Sequence, residues 1–306
     1  MLNGIINILK PPGISSTGVV NYVKRVLRCK KAGHTGTLDP LAAGVLPICI
    51  GRATKIAGHI LEQDKIYICE ATLGKQTDTD DSAGRIISSV NNVHTSKEEI
   101  ENILNTFKGD SKQIPPIYSA IRHKGKRLYE LARKGEKVVP KARSIKIYNI
   151  ELLAFYRDYK VLFKAHCSKG TYMRSLCRDM GQHLGYGAYM SFLLRTQTGA
   201  FNIENSITLH ELQYYVKMNK VNEILHSMDF ALADLDYIII DPSQYNPIIH
   251  GRFIELEHIE YISRPSREMI DNKKLMRMYC KEEFMGIGLF EHRNGRNILR
   301  TKKLLI

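Results

Sequence analysis

An α+β fold, with one large mixed β-sheet flanked by helices and a small β-barrel module after it, is what this sequence predicts. Three observations carry the prediction. Strand-like and helix-like stretches mix over residues 1–233 without the strict alternation of a doubly wound sheet. Past about Asp234 the texture changes to short apolar runs separated by turn-like residues. The chain has 306 residues, enough for a large domain and a small one. The expected division is therefore 1–233 and 234–306.

The elements follow in order. Ile5 to Leu9 reads as a strand closed by Pro11-Pro12-Gly13. Ser15 or Ser16 then caps a helix with Val19, Val23, Val26 and Leu27 on one face. A Gly-rich connection from Gly33 to Gly44 leads into the apolar run Val45 to Ile50. Ile66 to Leu73 reads as a strand, and the stretch from Gly74 to Gly84 as a polar, acid-rich loop. Thr95-Ser-Lys-Glu98 resembles a capping box, opening a helix to Phe107. Ile145 to Phe155 and Lys160 to Cys167 read as strands around a turn at Arg157-Asp158. Ser168 to Thr171 leads into a helix ending near Gly185, and Thr208 opens another to about Met218. In the C-terminal part the apolar runs are Tyr237 to Ile240, Phe253 to Leu256, Leu275 to Tyr279, Met285 to Glu291 and Asn297 to Leu305.

Composition narrows the function classes. No apolar run approaches the roughly 20 residues of a membrane helix, and the N-terminal apolar stretch breaks at the prolines, unlike a signal peptide. A cytoplasmic protein is expected. Six scattered cysteines with no Cys-x-x-Cys pair give neither a zinc site nor a disulfide framework. No metal is therefore expected. Lys and Arg total 45 against 31 Asp and Glu, a formal net charge of +14, which favours a polyanionic partner. The excess is uneven: between Lys112 and Lys146 stand eleven Lys/Arg and two Glu, a local excess of nine. With Tyr118 and Tyr129 among its cations, this stretch points to nucleic acid.

The run Gly33-His34-Thr35-Gly36-Thr37-Leu38-Asp39-Pro40-Leu41-Ala42-Ala43-Gly44-Val45-Leu46-Pro47 carries the chemistry. It lacks the Gly-Lys-Ser/Thr ending of a phosphate-binding P-loop. Asp39 precedes a proline, which biases it away from helix. From spacing alone, a turn-capping carboxylate and a catalytic one are equally compatible with it.

The run closely resembles the signature of bacterial tRNA pseudouridine-55 synthases, the TruB family, with Asp39 on that family's catalytic aspartate. Further stretches resemble the family's motifs in its own order: Asn7 to Ser16, Gly51-Arg-Ala-Thr-Lys55, Asp64-Lys-Ile-Tyr67, Leu73 to Asp81, Pro115 to Ala120 with Gly125 to Arg133, and Cys167 to Arg174. The resemblance implies Asp39 as nucleophile or base, Arg174 as its ion-pair partner, and Tyr67 as a catalytic and base-stacking residue. It implies substrate contacts at His34, Tyr67, Tyr172, Leu193, Lys55, Asp81, Arg122, Lys124, Lys126 and Arg127. A guanidinium beside Asp39 is expected to lower its pKa by about 1–3 units. The stretch Phe284 to Phe290, with Leu299 to Lys303, resembles a PUA domain, an RNA-binding β-barrel. Arg122 stands where the family has lysine, and Leu194 where arginine is common.

What the resemblance implies overall is an isomerase that flips out the T-loop uridine (position 55) of tRNA and converts it to pseudouridine. A second role as a tRNA folding chaperone is implied beside it. Breaking C1′–N1, rotating the uracil and joining C5 to C1′ moves no electrons or groups in or out, so no cofactor is expected. The partner implied is the tRNA T-arm stem-loop. No element reads as a dedicated apolar interface, so a monomer is expected.

Overall fold

The computed structural model describes all residues except 1, 120, 124, 134–135, 137, 256–258, 263–273 and 294–295. Seven strands make the long path of the first sheet: β1 (Gly4–Lys10), β2 (Ala43–Ile50), β3 (Lys65–Leu73), β4 (Gly109–Gln113), β5 (Arg143–Tyr156), β6 (Lys160–Cys167) and β7 (Ala188–Thr198). Their order is β1-β2-β7-β3-β6-β5-β4, and short strands Ala32–His34 and Phe201–Asn202 add to β2 and β7. All neighbours on this path are antiparallel except β2 and β7, which run parallel at Leu194↔Ala43 and Arg195↔Gly44. The expected mixed sheet is thus present, with its parallel pair beside the Asp39 run.

Period-two patterning decides which side chains meet the helices. Ile6 and Ile8 of β1, Tyr67, Cys69 and Ala71 of β3, and Phe163, Ala165 and Cys167 of β6 join one buried core. Helices α1 (Ser16–Val26), α2 (Lys97–Thr106), α3 (Met173–His183) and α4 (Leu209–Lys217) bury their apolar faces in the same core. Capping follows the local chemistry. Ser15 accepts from the Gly18 amide at the start of α1. Thr208 and Glu211 make a reciprocal capping box on α4. On α2 the cap is Ser96 rather than Thr95: Ser96 accepts from the Glu99 amide, and Thr95 donates to the Glu99 carboxylate at 2.7 Å. Arg157 and Asp158, at φ 54° and 57°, form the tight turn between β5 and β6.

The strand β7 was not foreseen, although it lies at the centre of the sheet. Register shifts between Met190 and Phe192 and between Arg195 and Gln197 break its alternation, which hides it from a period-two search. Beyond β7 a second sheet of six strands follows: β8 (Tyr237–Ile240), β9 (Ile254–Glu255), β10 (Ile259–Ile262), β11 (Leu275–Cys280), β12 (Glu283–Arg293) and β13 (Arg296–Leu304), in the order β9-β13-β12-β11-β8-β10. It has its own core around Ile238, Met276, Met278 and Phe290. A third cluster joins the two sheets: Ile5, Val45 and Cys49 of the first pack with Ile287 of the second and with Leu305 just beyond its last strand. No helix among the described residues is long and apolar enough to cross a membrane.

Candidate active site

Asp39 sits on the connection before β2, and that connection is tied down from several directions. Lys10, fully buried at the end of β1, donates to the carbonyls of Pro11, Pro40 and Ala42 at 2.9, 3.1 and 2.6 Å. Ser16 both donates to the Leu38 carbonyl and accepts from the Leu38 amide, so it anchors the loop rather than capping α1. Arg195, 1% exposed, donates to the carbonyls of Val45 and Gly36 at 2.8 and 3.1 Å. Gly44, at φ 120°, lets β2 approach β7: a Cβ there would lie 2.2 Å from the Arg195 carbonyl oxygen.

Arg174 arrives on the first turn of α3. Gln113 accepts from the Tyr172 amide at 2.8 Å and donates to the Tyr172 carbonyl at 3.1 Å, pinning the start of that helix to β4. Ser175 and Arg178 add bonds to the Ile114 carbonyl. So placed, Arg174 grips Asp39 side-on, Nε to Oδ2 at 3.0 Å and Nη2 to Oδ1 at 3.1 Å. Its remaining donors reach the Thr79 and Tyr118 carbonyls, and Nη1 lies 3.6 Å from Asp81 Oδ2. The acidic loop is locked in turn: Asp80, at φ 60°, pairs with Arg178 at 3.0 Å, and Asp81 accepts from Thr79 and from the Ala83 amide.

This geometry overturns the expected direction of the Asp39 pKa. Burial raises the carboxyl above the ordinary range; Arg174 is the next largest influence and opposes it, as Lys10 does, while Asp81 adds to the rise. The desolvation outweighs the guanidinium, and Arg174 itself is only 5% exposed. Burial also pushes Lys10 down to about 8, against the pull of Asp39.

The cleft is lined by Asp39, Leu41, Asp81, Met190, Phe192 and Leu193 among others. Of the expected site residues, the structure therefore brings Asp39, Arg174, Asp81 and Leu193 together. Tyr67 is 9% exposed; burial raises its phenol, with Arg195 opposing and Asp39 within electrostatic range. Tyr172 is half-buried and its phenol is raised by burial, with Arg174 and Asp39 also in range. His34 pairs with Ile48 beside Arg195, and burial with that cation lowers its pKa, favouring neutral imidazole.

Other expected contacts lie elsewhere. Lys55 points to the second sheet, where its amine donates to the Leu304 carbonyl at 2.8 Å, while the Lys303 amine reaches the Lys55 carbonyl at 2.5 Å. Arg122 and Arg127 pair across a two-stranded ribbon and Lys126 is exposed; their partner Lys124 lies outside the described residues, as do the side chains of both arginines. Leu194 is half-buried in β7; the cation of that segment is Arg195. Cys167 and Cys177 are buried free thiols, and burial pushes Cys167 up to about 12, which suits packing rather than attack.

Lys10, Ser16, Gln113 and Arg195 were missed as functional residues. One signal existed for Lys10: period two puts it on the face of Ile6 and Ile8, so it had to be buried. Ser16, Gln113 and Arg195 act on partners 22 to 159 residues away, and no local pattern reports such contacts.

Comparison with known proteins adds to this geometry. The description "TruB family pseudouridylate synthase (N terminal domain)" matches residues 24–173, and "tRNA pseudouridylate synthase B C-terminal domain" matches residues 174–238. Proteins named tRNA pseudouridine synthase B are similar over nearly the whole chain. That of Clostridioides difficile (strain 630) is 41% identical over 307 residues, covering 100% of both chains. That of Alkaliphilus oremlandii (strain OhILAs) is 44% identical over 288 residues, 94% of this chain and 93% of the relative. Among solved structures, a Cbf5-Nop10-Gar1 complex contains a chain with a TM-score of 0.78 at 27% identity, covering 99% of this chain and 85% of that one. An H/ACA RNP bound to a substrate RNA containing 2′-deoxyuridine contains another, with a TM-score of 0.76 at 26% identity and the same coverages. With family matches over residues 24–173 and 174–238 and relatives above 40% identity over nearly the whole chain, the chain belongs to the TruB family of pseudouridylate synthases.

Proposed function

We propose that this pseudouridine synthase isomerises the T-loop uridine of tRNA, at position 55, with Asp39 as its essential carboxylate. The single observation that carries the assignment of Asp39 is its side-on pair with Arg174 while it lines a cleft. The fork occupies one edge of the carboxylate, and 31% of the Asp39 side-chain surface stays exposed to meet a substrate. From there the carboxylate attacks C1′, attacks C6, or takes the proton from C2′. Each route ends with C1′–N1 broken and C1′–C5 made, the C5 proton lost and one gained at N1, so the sum is an isomerisation.

A stacked uridine must leave its stack first, at a cost of a few kcal/mol. In this reading Leu193 and Tyr172 line the uridine pocket and Tyr67 stacks on the uracil once the base has entered the cleft. Asp81 steadies Arg174. His34, neutral, inserts in the RNA loop, while Arg122, Lys124, Lys126 and Arg127 meet phosphates. Residues 1–233 act as the catalytic domain and 234–306 as a PUA-like RNA-binding domain. Lys55, bonded to the last strand, serves here as a link between the two. The protein works as a cytoplasmic monomer without cofactor, with a tRNA-chaperone role beside catalysis.

A guide-dependent reading is favoured by the H/ACA RNP neighbour at 26% identity. The tRNA reading is favoured by relatives at 41–44% named for tRNA. The test is tritium release from tRNA carrying 5-tritiated uridine. Wild type should release about one equivalent per tRNA and Asp39→Asn none, with affinity for tRNA kept within a small factor. Release by Asp39→Asn would overturn the assignment, and release only from another RNA would overturn the substrate.

A further inference from the structure

We propose that Phe192 is a stacking platform for a second nucleobase, the one adjoining the uridine that is isomerised. The proposal rests on the RNA-uridine reading above and deepens it. Phe192 is an aromatic side chain left 45% exposed at the rim of the cleft that holds Asp39, and Leu41 beside that cleft is 52% exposed. Scattered surface hydrophobics are ordinary, but two lining one cleft are a shelf.

The strand is built to present this ring. After the bulge at Ser191, Phe192 pairs with Glu70 and Leu193 with Cys69 in unbroken register, so the exposed ring and the buried leucine alternate along the strand, and both residues line the cleft. The bulge is pinned by Ser191, whose hydroxyl donates to Glu70 Oε1 at 2.5 Å, and by Lys160, whose amine reaches Glu70 Oε1 at 2.7 Å and the Ser191 hydroxyl at 3.3 Å. Glu70 is held as carboxylate: hydrogen bonds from Lys160, Ser191 and Tyr156 outweigh its desolvation and lower its pKa.

The chemistry of the ring selects its ligand class. A phenyl group has no donor or acceptor, so it reads the π-face of a base and not its edge. Extruding a uridine removes one stacking partner from each flanking base. A ring fixed beside the extrusion point restores one of those partners, which lowers the cost of opening. Leu193 and Asp39 thus serve the target nucleotide, and Phe192 with Leu41 serves its neighbour.

The experiment measures equilibrium binding of T-arm stem-loops in the Asp39→Asn background, with Phe192, Phe192→Ala or Phe192→Tyr. Stem-loops are intact, or abasic immediately 5′ or 3′ of the target. Phe192→Ala should weaken binding of the intact RNA about tenfold, and Phe192→Tyr should restore it. One abasic RNA should bind Phe192 and Phe192→Ala proteins alike, which names the base. An undiminished effect of Phe192→Ala on both abasic RNAs, or no effect on the intact one, overturns the platform. Turnover by the otherwise wild-type protein is followed separately; its failure would count against the proposed function, while the binding comparison still decides the platform.

Discussion

Replacing Arg174 by lysine keeps a positive charge and removes the planar fork, and the structure sets the size of the effect. Arg174 makes three hydrogen bonds, one to Asp39 and one each to the carbonyls of Thr79 and Tyr118, and its Nε lies 3.0 Å from the other Asp39 oxygen as an ion pair. A compact ammonium cannot span this arrangement, so about two of these contacts are lost. Charge-assisted bonds are worth about 1.5–3 kcal/mol each. The low end applies because Asp39 is partly open to water, giving about 3 kcal/mol, or about 100-fold in rate. The pH dependence moves as well. Burial already raises the Asp39 carboxyl and Arg174 restrains the rise. A weaker restraint moves the pKa further up, so the acid limb of activity shifts to higher pH and raising the pH recovers part of the loss. Single-turnover tritium release across about pH 5 to 9, with a thermal melt as folding control, measures both effects. An unchanged rate, or an acid limb that moves down, would refute the reasoning.

Three further outcomes are expected. Gly44→Ala should destabilise the protein by about 2–3 kcal/mol in chemical denaturation, because its Cβ would strike the Arg195 backbone at a φ of 120°; an unchanged midpoint would contradict this. His226 stacks on Phe230 at 4.8 Å, and burial lowers its pKa. Its neutral form is favoured in the fold, so its stability contribution is complete above the unfolded value of about 6.5 and is lost as pH falls towards the folded one. The drop in melting temperature between pH 7.5 and 5 should therefore shrink in His226→Phe, and an equal drop in both proteins would count against it. Neutralising Lys124, Lys126 and Arg127 together should reduce the slope of log affinity against log salt by about 2–3; an unaltered slope would place the RNA elsewhere.

Much of this architecture was legible locally. Ser15, Thr208 and the turn at Arg157-Asp158 each announce an element through contacts within a few residues. The Asp39 and Arg174 motifs were legible by resemblance, and the structure brings them into contact. What escaped was non-local. The two register shifts of β7 disguise a central strand, and a buried arginine within it looks like an exposed one until the partners of Arg195 are known. The Asp39 pKa was misjudged for a related reason: the guanidinium is visible in the sequence, but the desolvation around it comes from side chains gathered across the fold. Burial of Lys10 followed from alternation, whereas its three carbonyl partners did not.

The attachment of Arg195 to Val45 and Gly36, across 150 and 159 positions of sequence, bears on when the enzyme comes alive during synthesis. A nascent chain that has emerged only as far as α3 holds both Asp39 and Arg174, yet β2 still lacks its parallel neighbour and the Asp39 loop its deepest tether. Closing such distant contacts carries a large loop-entropy cost and is a slow, late event in folding. Competence for chemistry is therefore tied to the insertion of β7 between two strands that precede it by more than a hundred residues. A half-made chain has the reactive groups and no working site, so an RNA captured early by its basic surface would be held before it could be altered.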